Sequence, residues 1–346
     1  MKHIGMDLGG TTTTATVLSA RGKRLLDRTI QTREADLVDF VSKIPGAKRV
    51  IVEESQLADW VARALAPHVS QVIRCQPQHN DLISKSENKC DEEDCFSLAR
   101  LSYLGELKPV HHTDWGYRQL REGVREYWKS SWDLTAAKNR LKSHLLFNGI
   151  ASVGEAVYSD RWREAFYEKL RERSANLKLT DLHYQRLDIC RTLKAEQFRV
   201  LRELGQPYQE EVRCLKSIPG IGPIGAYTMV AYLEKGWRFS NKRQLWKYCR
   251  LSIRKHESQG KGRRGASRQG NRYLKCSLMT AVASLAARRK DDNALTRLWH
   301  QGLANGVELK RMRRNLARKL VVVAHHLLRY RKEYQDELIV VTGYPG

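Results

Sequence analysis

Short β-branched runs and helical stretches alternate through the first hundred residues in an order that few folds accept. His3–Leu8 reads as a strand, Gly9-Gly10 as a turn and Thr11–Leu18 as a returning strand. Leu25–Thr32 supplies a third strand, Leu37–Ile44 has helical spacing, and Arg49–Val52 is a short strand. Leu57–Leu65 is helical again, Gln71–Cys75 is another strand, and Glu93–Tyr103 is a helix. Three strands followed by alternating helix and strand imply an α/β layer structure.

Acidic residues fall at particular places in this order. Asp7 lies in the first strand, Glu53 or Glu54 follows another strand, and Asp91 and Asp94 sit three apart where the last helix begins. At that spacing Asp91 and Asp94 share one helix face. An oxygen-only donor set suits Mg²⁺, with Mn²⁺ as the substitute. Carboxylates collected from strand ends and a helix face suit two-metal phosphodiester chemistry. A single Asp in any of these places reads more simply as a solvated turn or helix cap. The strand order is that of an RNase H-like (RuvC-like) α/β fold.

Charge divides the chain. Lys and Arg number 62 and Asp and Glu 38, a formal net charge of +24. Residues 1–100 carry 14 basic and 14 acidic side chains, so the whole excess lies beyond them. Within 235–290 there are 17 Lys and Arg against one acid, Glu257. Such a field predicts a polyanionic partner. Seven scattered Cys with no C-x-x-C pair argue against a zinc site or disulfide framework and point to a reducing cytosol. No leader-like apolar run opens the chain, and the longest apolar stretch, Leu320–Leu328, is too short to span a bilayer. No membrane partner is expected.

From about Trp115 to Leu215 the texture becomes helical. Leu120, Val124, Trp128, Trp132, Leu134, Leu141 and Leu145 mark one long helix or two. Leu179, Leu182, Leu187, Leu193, Phe198, Leu201 and Leu204 mark a returning one, so a helical hairpin or coiled coil is expected. Its plainer reading is a solvated spacer packed within one chain. Ser217–Gly222 then reads Ser-Ile-Pro-Gly-Ile-Gly, a helix-hairpin-helix-like signature whose Gly220 and Gly222 would bring backbone N–H groups to a phosphate. A purely structural αα-hairpin is its alternative. Arg254–Lys275, rich in Gly, Ser and Arg, reads as a flexible basic loop. An Ala-rich helix (Leu274–Arg289) and a basic amphipathic helix (Lys310–Arg331) follow. Three parts are expected: a metal-binding domain over 1–112, a helical hairpin over 113–210, and a mainly α C-terminal domain over 211–346.

The assembled residues resemble the DEDD-type insertion-sequence transposases, which pair a RuvC-like N-terminal domain with a serine-bearing C-terminal transposase domain. The likeness runs through Gly5-Met6-Asp7, Val52-Glu53-Glu54-Ser55, Asn88-Lys89-Cys90-Asp91 with Asp94, and Ser217–Gly222. It continues through His256-Glu257-Ser258 and Arg264–Leu274. The resemblance implies a DNA recombinase, guided by a structured bridge RNA, acting on donor and target double-stranded DNA as a homo-oligomer, dimer or tetramer. It implies a bacterial or archaeal cytoplasmic, nucleoid-associated protein. It assigns Asp7, Glu53, Asp91 and Asp94 to the metal and catalysis, and Ser258 to nucleophilic attack, with Ser267 as the alternative. Arg254, Lys255, Lys261, Arg263, Arg264, Arg268 and Arg272 would grip phosphates, and Ser258→Ala would abolish the covalent complex. The chain departs from the family pattern at Glu54-Ser55, where Gly is usual, at Gln259, which stands where Gly commonly follows the serine, and at Cys249–Ile253. These departures bear on loop geometry and leave Glu54 open beside Glu53.

Three other readings remain. Asp7-Leu8-Gly9-Gly10-Thr11-Thr12 looks like the phosphate loop of actin-like sugar kinases, which tight ATP binding with sugar turnover would reveal. A junction-resolving RuvC-like endonuclease would use the same acids without a protein–DNA adduct. A nucleic-acid-binding scaffold with a decayed site is the non-enzyme reading.

Overall fold

The computed structural model describes residues 1–75, 91–107, 111, 113–258, 261–266, 269–288 and 292–341, and gives the backbone alone for 254–258, 261–266, 340 and 341. The chain separates into two compact units, Met1–His112 and Thr113–Gly346.

The first unit is built on a mixed five-stranded sheet in the order β3-β2-β1-β4-β5. Its strands are β1 (Lys2–Leu8), β2 (Thr12–Leu18), β3 (Arg24–Gln31), β4 (Lys48–Glu53) and β5 (Gln71–Cys75). The first three pair antiparallel, while β4 runs parallel to β1 and β5 parallel to β4. Two-residue periodicity sends Ile4, Met6, Val50 and Val52 into a core with α1 (Glu34–Ser42) and α2 (Ala58–Leu65). On the opposite face Ile51 and Cys75 pack with Leu98 and Leu101 of α3 (Asp91–Leu104). Gly5 makes this second layer possible, because a Cβ there would lie 2.0 Å from the carbonyl oxygen of Cys95.

The second unit is helical. The long α4 (Trp115–Phe147) and α6 (Leu177–Leu204) run antiparallel, with Leu201 packed by the first turns of α4 and His144 bonded to Thr180 at the other end. Between them α5 (Asp160–Glu172) closes a small core of Leu141, Leu145, Leu170, Tyr184 and Leu187. The larger core surrounds α8 (Pro223–Leu233), whose residues Ala226–Leu233 are all buried. A helix apolar on every side belongs at the centre of a bundle. Around it lie α7 (Gln209–Lys216), α9 (Lys242–Tyr248), α10 (Arg272–Ala287), α11 (Ala294–Ala304) and α12 (Leu309–Tyr330). The basic helix α12 buries Leu316, Leu320, Val323 and Leu327, the face expected from its spacing. No helix among the described residues is long and apolar enough to cross a membrane.

One expectation is corrected. The segment read as a flexible basic loop contains an antiparallel hairpin, β6 (Ile253–Ser258) with β7 (Lys261–Ala266). Its ladder satisfies backbone donors and acceptors whatever side chains the strands carry. The alternation of apolar and polar residues that announces a half-buried strand is therefore missing from its sequence.

Candidate metal centre and nucleic-acid interface

Parallel pairing of β1 with β4 sets Met6 beside Val52, which places Asp7 and Glu53 at adjacent strand ends. In an α/β sheet the carboxyl ends of parallel strands are where ligands bind. The first turn of α3 carries Asp91, Glu92, Glu93 and Asp94, where negative charge is favoured by the helix dipole. Three contacts pin that turn to the sheet. The Asp7 backbone N–H donates to Cys95 Sγ at 3.2 Å, and the Cys95 thiol donates to the Thr14 carbonyl at 3.1 Å. The Thr16 hydroxyl lies 3.4 Å from the Glu92 carbonyl and donates to Asp27 at 2.6 Å. Arg24 pairs with both Asp27 (2.7 Å) and Glu93 (3.1 Å), which spends Glu93 on structure and leaves Asp91 and Asp94 toward the strand ends.

The four acids act on one another. Burial, then Asp91 and Asp94, raises the Asp7 carboxyl above the ordinary carboxylate range. Burial, then Asp7 and Asp94, raises Glu53 in the same way. Burial also pushes the Cys95 thiol up to about 12, so it stays protonated as a hydrogen-bond donor. Glu54 is exposed and turned elsewhere: its carboxylate is 3.8 Å from the Arg74 guanidinium, which also pairs with Asp59. Partly desolvated like charges held together are the donor chemistry a hard divalent cation requires. Geometry is looser than this electrostatic picture. Among the described residues no three His, Cys, Asp or Glu side chains close into a cage. The donor set fits Mg²⁺ or Mn²⁺ in kind, and the cage is open.

In the second unit Gly220 and Gly222 have different reasons to be glycine. Gly220 has φ +85°, and a Cβ there would stand 2.7 Å from Leu285 Cγ and 2.8 Å from the Ala281 carbonyl. Its role in the fold is close packing against α10. Gly222 is exposed, caps α8 with an extended backbone, and has open space around it, with Pro223 following. The first-turn amides of α8 begin there without intrahelical acceptors. A cleft of about 170 Å³ beside this turn is lined by Trp128, Gly222, Ile224, Ser277 and Thr280.

Sequence reasoning missed an aromatic ladder. Tyr232 and Tyr273 stack at 6.0 Å and 3°, Tyr273 and Trp132 at 5.7 Å and 16°, and Trp128 continues the series 6.2 Å from Trp132. The exposed Arg272 guanidinium lies 3.9 Å over the Trp132 ring, and Arg121 lies 5.4 Å over Tyr232. Trp128 and Trp132, one turn apart on a basic helix, were the signal available. The β6–β7 hairpin precedes Arg272. Its register pairs Ser258 with Lys261, His256 with Arg263 and Arg254 with Gly265, so these residues share one face of the ladder. Lys255 and Arg264 pair on the other face. Ser267 and Arg268 lie outside the described residues.

Two family models match the chain. One, for DEDD transposases of the IS110 kind, is described as a transposase and matches residues 4–148. The other is described as the transposase IS116/IS110/IS902 family and matches residues 212–299. Together they cover two thirds of the chain. No curated protein matches it significantly.

Proposed function

The chain belongs to the IS110-type DEDD transposases, enzymes that cut DNA and transfer its strands, and on that premise we propose that an RNase H-like acidic centre and a hairpin-borne serine divide the chemistry between them. The observation that carries this reading is the shared field of Asp7, Glu53, Asp91 and Asp94 at the ends of β1 and β4 and the start of α3. DEDD transposase domains use divalent metal ions. Here Asp7, Glu53, Asp91 and Asp94 would hold Mg²⁺, with Mn²⁺ able to replace it, and the ion when bound would polarise a phosphoryl oxygen and stabilise developing negative charge.

Ser258 is the nucleophile in this scheme. A serine hydroxyl is weak at its ordinary pKa and needs activation. Its Oγ gives up a proton and bonds to phosphorus while the phosphorus–oxygen bond of the strand breaks, and the departing strand hydroxyl takes a proton. Attack by a second strand end on the phosphoserine reverses the exchange, so no bond is hydrolysed overall. Lys261 and Arg263, whose register positions share the ladder face of Ser258, would supply positive charge beside the phosphate. Arg254, Lys255, Arg264, Arg268 and Arg272, with the backbone at Gly220 and Gly222, grip the phosphates of donor and target duplexes. Such contacts position the backbone without reading sequence. Target choice would then fall to base pairing with a structured bridge RNA, as in other RNA-guided systems. Two active centres are needed to exchange two strands, which makes the working form a dimer or tetramer. A bacterial or archaeal cytoplasm, in contact with the nucleoid, suits these partners.

The test is a covalent trap. Wild-type protein, Mg²⁺, RNA recovered with the protein and a matching duplex are expected to give a denaturation-resistant protein–DNA adduct. Ser258→Ala should lose the adduct and keep DNA binding. An adduct that persists in Ser258→Ala moves the role to Ser267. Hydrolysis with no adduct in the wild type would favour the junction-resolving endonuclease.

A further inference from the structure

The turn after α8 is held in a conformation that its residues would not adopt alone. Glu234 has φ +57° and ψ −133°, a combination that strains any residue with a side chain. Its buried carboxylate fixes it there: Arg121 donates to it at 2.5 Å and the Thr113 hydroxyl at 3.0 Å. Gly236 follows at φ +71°, and a Cβ there would lie 2.9 Å from the backbone nitrogen of Arg329 and 3.0 Å from the His325 carbonyl. The turn is therefore pressed onto the last turns of α12. What it presents is Trp237, which at 66% is the most exposed of the eight tryptophans. The Arg329 guanidinium lies 4.1 Å over the indole ring, and the ring of Tyr330, also exposed, is 5.6 Å from the same guanidinium.

We propose that Trp237 and Arg329 form a stacking site for one unpaired nucleobase in a single-stranded segment of nucleic acid. Arg329 covers one face of the indole, and the other face has no ring or cation against it among the described residues. A flat aromatic face of this kind accepts any base. Arg329 is exposed and in no ion pair among the described residues, so its N–H groups remain for the phosphate next to the stacked base. Lys235, in the same turn, and Lys332, just past the end of α12, are exposed and likewise outside any ion pair among the described residues. The carboxylates nearest in sequence are already engaged, Glu234 by Arg121 and Glu333 by Arg213. The result is an aromatic plate in a cationic surround, which is the composition of single-strand sites. Bases inside a duplex are stacked on both faces, so only an unpaired base can lie on this ring. A lone tryptophan on a short turn gives a bilayer little apolar area to bury. The inference rests on the reading of the chain as an enzyme of nucleic acids, and it uses neither the acidic centre nor Ser258.

Fluorescence anisotropy with the full-length protein tests it, using oligothymidylate and oligouridylate of about 12 nucleotides and a blunt duplex of the same length. Trp237→Ala should weaken binding of the single strands by about tenfold and binding of the duplex by less than about twofold. Trp237→Phe should recover single-strand binding to within about threefold. Trp237→Ala removes no charge and should leave the salt dependence unchanged, whereas Arg329→Ala should lower its slope by about one phosphate contact. Photocrosslinking supplies a measurement that needs no variant: wild-type protein irradiated with the same single strands carrying iodouracil should form its adduct at Trp237. Tighter binding of the RNA strand would assign the base to an RNA loop, and tighter binding of the DNA strand to an opened duplex; both keep the site. Equal losses on single strand and duplex, no loss in Trp237→Ala, or an adduct at Trp128 or Trp132 instead would each overturn the proposal. So would binding of phosphatidylserine vesicles that Trp237→Ala abolishes, since the ring would then serve a membrane surface. A covalent trap that fails at Ser258 would leave all of these measurements unchanged.

Discussion

The acids of the first unit and the serine of the second are held by opposite kinds of structure. Asp7 and Glu53 end two central strands covered on both faces, and α3 is fastened to them through Cys95, Thr16 and Arg24. Ser258 ends one strand of a two-stranded ladder. A carboxylate cluster must be held against its own repulsion, which needs a packed frame. The nucleophile proposed here has to reach a phosphate on a large substrate, and the hairpin that carries it is made mostly of small and basic residues. Charge follows the same division: the first hundred residues are balanced, and the remainder carries the positive field.

The largest expected effect lies on the acidic side. Asp94→Asn or Asp7→Asn should lower Mg²⁺-dependent strand transfer by roughly 10³-fold, in the range of losing several kcal/mol of charge stabilisation. A gel assay of strand transfer decides it, and full activity would erase the contrast between the two sites. The frame itself is tested next. Gly5→Val drives a side chain into the Cys95 carbonyl and should destabilise the first unit by about 3 kcal/mol. Denaturant unfolding of the protein measures this, and no corresponding loss is expected from substitutions at exposed Gly222. On the basic side, Arg272→Ala should weaken DNA binding by roughly tenfold, with Arg272→Lys recovering only part, because the planar guanidinium over Trp132 is lost in both. Fluorescence anisotropy at fixed salt reads the difference, and equal affinity of Arg272→Lys and wild type would reduce Arg272 to a point charge.

The smallest effect separates stability from function. Asp7 and Glu53 have carboxyl groups raised in the folded state, so the fold binds more protons than the unfolded chain between the ordinary and the raised values. Without metal, stability should therefore increase as pH falls through that window and be lower above it, where both groups are charged. Asp7→Asn should raise the metal-free thermal midpoint at neutral pH and blunt the further rise produced by Mg²⁺ or Mn²⁺. Differential scanning fluorimetry with and without metal checks both signs. A lower midpoint for Asp7→Asn would mean that the carboxylate is not strained by its neighbours.

Much of the first unit was legible because its strands are β-branched and its helices keep one apolar stripe. Ends moved by a few residues: the last helix begins at Asp91 rather than Glu93, which brings both aspartates into its first turn. The sequence favours Glu53, which directly follows the strand, with Glu54 as the alternative; the sheet register and the Arg74 contact show how their surroundings differ. The second unit was harder. Leu179, Leu182, Leu187 and Leu193 read as one packing stripe, yet Leu187 is buried while the other three are exposed. The period alone does not say which of two adjacent apolar faces is buried. The β6–β7 hairpin gave no signal because its register rests on backbone pairing. The aromatic ladder joins Trp132 of α4 to Tyr273 of α10 and Tyr232 of α8, a juxtaposition that only the folded bundle creates.

The contact between Gly5 and Cys95 ties heredity to chemistry. A lineage that acquired a methyl group at position 5 would have to lift the third helix, and both of its leading aspartates would travel with it. Every atom such a methyl would meet is backbone of that helix, so no replacement at 95 or 99 makes room for it, and position 5 should stay glycine for as long as the two aspartates are needed.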